Sequence, residues 1–318
     1  MKTEARNNTK KDKYMKILRY LLPATFSLLI ATSAGSADLM EKATNKLSSF
    51  KDGKINALSN QISENLSSFA QDHFENMKYL DFNINAQEYL KPTFSIMSVN
   101  EIMKIDSGTI FNQTSINTHD GDETINIGFG VRKLLNDNTL LLGANTFYDH
   151  QLTESHKRSG AGVEAITSIF DLRANYYNAI SGRRTNTEGV IERALDGWDL
   201  RGDYHLPIDQ DVNLFISAFE FENPEIVSTY KEKGNKFGAD ATLGNFVLEG
   251  GYMNDNQAND AYFGSVKYVV NFGSDTKNSD TKSKSLTDVS DQLYQPVKRE
   301  NKIRVVKILA SGFVAGGF

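Results

Sequence analysis

The stretch DGWDLRGDYHLP, residues 196–207, separates by alternate positions into two chemically distinct sides. Trp198, Leu200, Gly202, Tyr204 and Leu206 make one side, and Asp199, Arg201, Asp203 and His205 make the other. A period of two over this length is that of a β-strand. In a soluble sheet the apolar side would line a core and the charged side would meet water. In a membrane barrel the apolar side meets lipid and the charged side lines the lumen. One strand leaves both arrangements open, so its neighbours have to choose.

The same period runs from about Tyr79 to Phe272. INIGFGV sets Ile125, Ile127, Phe129 and Val131 against Asn126, Gly128, Gly130 and Arg132. TLLLGANTFYD sets Leu140, Leu142, Ala144 and Tyr148 against Gly143, Asn145 and Asp149, with Leu141 and Phe147 out of pattern. LRANYYNAI and AYFGSVKYVVNF divide in the same way. The connections carry further information. Asn136–Asn138, Ser168–Ile169, Pro207–Gln210 and Gly244–Asn245 are short, and they alternate with the longer His150–Ser155, Ser181–Leu195, Asn223–Asn235 and Asn254–Asp260. Outer-membrane barrels have short periplasmic turns and longer external loops. With Gly244–Asn245 on the periplasmic side, the last strand runs down to Phe272. A chain entering from that side needs an even number of strands, so YLDFNINAQEYLKPTFSIMSVN must supply two, with Pro92 in the loop between them. The expectation is an all-β fold, a twelve-stranded antiparallel transmembrane β-barrel over 79–272.

The charged side gathers Arg132, Asn145, Asp149, Arg158, Glu164, Arg173, Asp199, Arg201, Asp203, Asp240, Glu249 and Lys267, interspersed with glycines. Both signs are present, as in a compensated polar lumen, and these residues are the expected contacts to a segment inside it. Tyr148, Tyr176, Trp198, Tyr204, Tyr252 and Tyr268 fall on the apolar side, often near strand ends, where an interfacial aromatic girdle would sit. A soluble sandwich would need a water-loving outer face and turns of similar length at both ends. The pattern favours the barrel.

Composition agrees without deciding. A mean hydropathy of −0.43 excludes a bundle of membrane helices, but strands that are apolar only at alternate positions look soluble on average. The net charge of −5 offers no footprint for nucleic acid, and zero cysteines exclude disulfides and thiolate metal sites. Lys10, Lys11, Lys13, Lys16 and Arg19 precede LLPATFSLLIA and then SAGSA, the order of a secretory signal peptide over 1–37 with cleavage after Ala37; Met15 could also be the start. Residues 38–78 are polar, with Leu58, Ile62, Leu66 and Phe69 at helical spacing, and read as a periplasmic helical segment. Beyond Phe272, residues 273–318 read as a polar linker, a short helix with Thr287 as N-cap and Pro296 as its break, and an apolar end too short and glycine-rich to span. Gly273 to Arg304 is 32 residues. At roughly 3.3 Å per extended residue these can cross a hydrocarbon core about 30 Å thick. The linker is therefore expected inside the lumen, with Leu293, Tyr294 and Val297 packed on the wall and Lys298, Arg299 and Glu300 paired with its charges.

LLGANTFYDHQLTESHKRSGAGVEA, LRANYYNAISG and LDGWDLRGDYHLP, with NIGFGVRKL before them and LYQPVKRENKIRVV after, occur in an order that resembles the β-domain of inverse autotransporters, the intimin and invasin group. The likeness covers about Tyr79 to Val306. It implies a twelve-stranded outer-membrane barrel in a Gram-negative bacterium, whose C-terminal linker returns through the lumen and leads a passenger to the cell surface. The partners it implies are outer-membrane lipid, periplasmic chaperones, barrel-assembly machinery, the passenger and a host receptor. Family members usually continue into adhesive domains, whereas this sequence stops just after the linker, so the passenger is expected to be missing here. A small porin and an adhesin acting through its own loops are the alternatives.

No catalytic residues, cofactor or metal are expected. Asp203 and His205 with HDGD at 119–122 supply the residue types of an outer-membrane protease, but the topology puts the two pairs at opposite ends of the barrel, out of reach of a shared water. His150 and His156 flank an external loop without a third ligand and read as solvated. No Gly-x-Ser-x-Gly elbow is present.

Overall fold

The computed structural model describes residues 76–318 except 89, 91, 120, 121, 187, 209, 226–229, 258, 259, 273–284, 310, 311 and 316–318. The signal-peptide expectation and that of the helical segment lie outside the described residues, except that Met77 and Lys78 open the first strand. In chain order the strands are β1 Met77–Gln87, β2 Thr93–Ile105, β3 Gly108–His119, β4 Asp122–Leu135, β5 Leu140–Gln151, β6 Lys157–Ile166, β7 Phe170–Ala179, β8 Arg184–Thr185, β9 Ile191–Ala194, β10 Asp196–His205, β11 Asp211–Glu222, β12 Lys231–Leu243, β13 Phe246–Asp255, β14 Ala261–Asn271, β15 Val305–Leu309 and β16 Gly312–Ala315. Twelve of them, β1–β7 and β10–β14, form one closed antiparallel barrel, shut by β1 against β14 from Tyr79↔Asn271 to Gln87↔Phe263. The two strands needed for parity are β1 and β2, with Pro92 between them. The remaining four form a separate sheet in the order β16-β15-β9-β8.

Burial is inverted relative to a soluble sheet, which answers the question raised by residues 196–207. Outward-facing Ile216 and Tyr262 are 65% and 62% exposed, and Phe129, Val163, Leu200 and Phe237 are exposed with them. Inward-facing Arg132, Arg158, Asp149 and Asp203 are all 0% exposed. A continuous apolar outer surface of this kind is lipid-facing. Where β3 turns polar groups outward, they are satisfied locally: Asn112 Nδ2 donates to the Gly128 carbonyl at 2.8 Å and Thr114 Oγ1 to Asn112 Oδ1 at 3.1 Å. Lipid offers no other partner.

One end of the barrel carries the turns 106–107, 136–139, 167–169, 206–210 and 244–245, and the other the connections 88–92, 120–121, 152–156, 180–195, 223–230 and 256–260. The asymmetry is that read from the sequence, with one exception, since β3 and β4 are joined by only residues 120–121 at the long-loop end. The turn at 136–139 holds Asn136, Asp137 and Asn138 at φ 50°, 55° and 65°, a left-handed run that these short polar side chains tolerate.

Three expectations are corrected. KEKGNK, read as part of a loop reaching Asn235, is the start of β12. Its inner face is polar because Glu232 meets a cation in the lumen, described below, rather than water. The C-terminal helix is a single 3₁₀ turn, Ser290–Tyr294, preceded by Val289; Thr287 does not cap it, and its N–H instead bonds Ser168 Oγ at 2.9 Å. His156 is fully buried, and His150 belongs to β5.

Phe147, out of pattern on β5, and Phe111 of β3 fill space that glycines leave on β4. A Cβ on Gly128 would lie 2.2 Å from the Phe147 ring, and one on Gly130 would lie 2.4 Å from the Phe111 ring. We expect Gly128→Val to overpack this wall by about 1–3 kcal/mol. The check is heat-modifiable mobility on a gel. Loss of the folded band at a lower temperature than the parent is the expected outcome.

Candidate functional site: the lumen and its threaded segment

The lumen is occupied by the chain's own C-terminal segment, residues 285–309. It starts at the short-turn end, where the Val289 N–H bonds the Asn138 carbonyl at 2.9 Å. It finishes in the sheet at the long-loop end, where β15 pairs with β9. Between Gln295 and Arg304 it has no regular secondary structure. Its peptide groups therefore need partners from the wall.

The wall supplies them. Arg132 Nη1 donates to the carbonyls of Leu293 at 2.9 Å and Gln295 at 2.5 Å. Gln113 holds both peptide groups of one residue, accepting from Val297 N at 2.7 Å and donating to Val297 O at 3.4 Å. Asn175 donates to Lys298 O at 3.0 Å, Arg158 to Glu300 O at 2.6 Å and Asn126 to Asn301 O at 2.9 Å. Tyr177 Oη accepts from Glu300 N at 2.8 Å and donates onward to Asp199.

Side chains add apolar and charged layers. Val289 and Leu293 pack with Leu134, Leu141 and Ile166 near the short turns. Above them Val297 and Tyr294 join Tyr79, Val99, Phe111 and Phe147. Tyr294 Oη also bonds the Glu101 carboxylate. Lys298 reaches Asp203 at 3.0 Å and Asp240 at 4.0 Å. Arg299 makes a two-pronged pair with Asp149, at 2.9 and 2.7 Å, with its guanidinium 4.2 Å from the Phe147 ring centre. Arg304 pairs with Glu232, reaches Glu300 at 3.1 Å, and lies over the rings of Phe219 and Phe221 at 4.7 and 4.6 Å.

The expected lumen contacts thus fall into two groups. Arg132, Asp149, Arg158, Asp203 and Asp240 touch the threaded segment directly. Others hold those that do, or shape the wall. Glu164 binds Arg132 at 2.6 Å and Arg173 binds Asp203 at 2.9 Å. Arg201 links Asp203, Asp240 and Glu249, and Lys267 faces Asp81 at 3.9 Å. Asn145 lies on the same wall, and its Oδ1 has no hydrogen-bond partner among the described residues. Gln113, Asn126, Asn175, Tyr177, Glu232 and Arg304 were missed. For the wall residues among them the signal available was their place on the inner register, and Arg304 lies on the segment itself. Beside the segment lies a cavity of about 350 Å³ bordered by the polar Asp81, Asn83, Arg201, Glu249 and Lys267 and by the rings of Phe215 and Phe263. Of the residues expected in an aromatic girdle, Tyr148, Tyr176, Trp198 and Tyr204 are exposed on the outer face and Tyr252 is half-buried. Tyr268 is 9% exposed, packed edge-on to Phe246.

Asp203 and His205 stand beside the turn 206–210, whereas Asp122 begins β4 at the opposite end, and Asp120 lies outside the described residues. His205 is engaged with Asp171 at 3.1 Å. Groups so placed cannot share one water.

A barrel threaded from the short-turn end by its own C-terminal segment matches one family model, that of the inverse autotransporter β-domain, over residues 30–301. The chain belongs to this family. An outer-membrane barrel is its fold and setting. Over 129 residues the chain is 33% identical to a putative attaching and effacing protein homologue of Escherichia coli K12, covering 40% of this chain and 43% of that one. Over 103 residues it is 34% identical to an invasin of Yersinia enterocolitica, covering 32% of this chain and 12% of that one. The match thus spans less than half of either relative. A solved membrane-protein chain from work on in-meso crystallization superposes with a TM-score of 0.62 at 18% identity, over 74% of this chain and all of that one, a likeness of fold.

In this inverse autotransporter barrel the Asp149 site gives an ordered expectation. Asp149→Asn leaves both Arg158 and Arg299 without their shared carboxylate and should destabilise by about 3–5 kcal/mol. Arg299→Met leaves Asp149 its Arg158 partner at 2.8 Å and should cost less. In the loops, the Arg183 guanidinium beside Glu225, at 2.6 Å, holds that carboxyl below its ordinary range, but Arg183 is open to solvent. Arg183→Ala should leave the unfolding midpoint unmoved. Denaturant titration in detergent measures all three.

Proposed function

We propose that this barrel anchors and exports a polypeptide joined to its C-terminal end, delivering it to the cell surface. The observation that carries this reading is the clamp on the threaded segment's main chain: seven of its carbonyls accept from Arg132, Gln113, Asn175, Arg158 and Asn126. Such contacts hold an extended chain as such. Export begins with a signal peptide over 1–37 that is cleaved, residues from 38 up to the barrel remain periplasmic, and periplasmic chaperones and barrel-assembly machinery place the strands in the membrane. The relatives' names, attaching and effacing and invasin, support a passenger that meets a host receptor. The energy for export comes from passenger folding outside.

An epitope appended after Phe318 tests this. Antibody should label it on intact cells, and labelling only after permeabilisation would reject the reading. Added trypsin should cut intact cells at the exposed Arg183 and Arg184 of the long-loop end and spare Pro207–Gln210. The reverse would invert the topology.

The cavity of about 350 Å³ beside the segment favours a second reading, a small porin. Planar-bilayer conductance separates the two. A translocator should conduct little when whole and more after deletion of Leu286–Phe318; equal, open-pore conductance of both forms would favour the porin.

A further inference from the structure

At the long-loop end the connection between β7 and β10 folds back as a hairpin, β8–β9, whose turn is held by contacts within the loop. Its turn is closed by Asn186, whose N–H bonds Val190 O at 2.9 Å and whose Oδ1 accepts from the N–H groups of Glu188 at 3.0 Å and Val190 at 2.9 Å. Gly189 supplies the φ of +81° that the turn requires. Asn186 Nδ2 also donates to Glu192 Oε1 at 2.8 Å, and buried His156 stands 3.5 Å from Glu192 Oε2. Arg193 donates to the Ser181 carbonyl and approaches Glu225 of the next long loop at 3.8 Å.

One edge of β9 is used by β8, through Arg184↔Glu192 and Thr185↔Ile191. The other receives β15, from Val305↔Ala194 to Ile308↔Ile191. The Leu195 N–H bonds Arg304 O at 3.0 Å at the mouth of the lumen. Bonded and non-bonded pairs alternate in an antiparallel ladder, so Arg193 and Val306 form the next bonded pair, and the Arg193 N–H points at the segment rather than at β8. Val306 is 0% exposed, seated among Tyr177, Leu195, Phe219, Phe221 and Met253.

We propose that Ile191–Ala194 is a strand-capture site: its backbone edge binds the first extended polypeptide to leave the lumen and holds it against sliding back. The ligand class is an extended chain with a medium-sized apolar residue where Val306 sits. Recognition is otherwise by main chain, as in strand addition to a sheet edge. This rests on the translocator reading, since capture matters only to a chain that moves through the lumen.

The test uses the full chain with an epitope after Phe318, in cells pulse-labelled and then probed at the surface with antibody. Arg193→Pro removes the N–H that faces the segment, while Arg193→Ala removes the side-chain contacts and keeps that N–H. Val306→Pro removes the reciprocal donor from the segment's side and leaves the loop untouched. With the barrel still heat-modifiable, both proline variants should bring the epitope to the surface several-fold more slowly than the parent, and Arg193→Ala, which keeps the N–H, should be slowed less than Arg193→Pro. Parental rates in both proline variants, or equal slowing by Arg193→Ala, would overturn capture by the β9 backbone. If Arg193→Pro fails to assemble, Val306→Pro alone decides between these outcomes. An epitope that never reaches the surface even in the parent sinks the translocator reading itself.

Discussion

A chain without secondary structure inside a membrane protein has to hand every peptide group to something other than water. That requirement organises this barrel. The lumen is narrow enough for wall side chains to reach the backbone of residues 293–301, and the residues that reach it are long or forked donors, two arginines and three amides. Each donor must in turn be held. Arg132 is fixed by Glu164, Arg158 by Asp149, Asn175 by Asp199 at 2.8 Å and Asn126 by Asp149 at 2.7 Å. The mixed charge of the inner face follows from this two-layer demand: donors for the segment, and acceptors that aim the donors.

The same demand explains the apolar residues on the inner face. A wholly polar lumen would hydrate the segment and loosen it. Leu141 and Phe147 break the alternation of β5, and both pack into layers that the segment completes, with Val289 and with Val297. These layers keep water from competing for the hydrogen bonds between them, which strengthens each bond in the lower local dielectric. The guanidinium faces of Arg132 and Arg299 lie on Phe111 and Phe147, so the cations are covered by rings rather than by solvent.

Much of this was legible because it follows from a period of two. Strand number, the inner face, the asymmetry of turns and loops and the route of the tail all come from alternation, parity and length. What was illegible depends on partners distant in sequence. KEKGNK looks like a loop because local polarity does not reveal that Glu232 faces Arg304. Leu141 and Phe147 register only as exceptions until Val289 and Val297 lie against them. His156 looks solvated beside a loop, but Glu192 and Ser181, at 3.5 Å from either ring nitrogen, come from another loop that folds over it. Neutral amides such as Gln113 and Asn126 carry no charge pattern, and their role appears only when a backbone stands opposite them.

Main-chain and side-chain contacts to the segment do different work, and their coexistence bears on how one lumen could both pass a polypeptide and stop it. Donors to carbonyls serve any sequence, because every residue has a carbonyl. Lys298, Arg299 and Arg304 meet Asp203, Asp149 and Glu232 at separate positions on the wall, and that match exists in one register only. Sliding an extended chain by one residue moves it by roughly 3.3 Å and turns each side chain to the opposite side. Arg299 would then leave Asp149 with one guanidinium where it has two. Buried ion pairs are poor sources of net stability but costly to break singly, so they select a register more than they strengthen it. If the lumen passes a polypeptide as proposed, a segment without this spacing of charges would meet only the main-chain donors, whereas the stretch from Lys298 to Arg304 meets both.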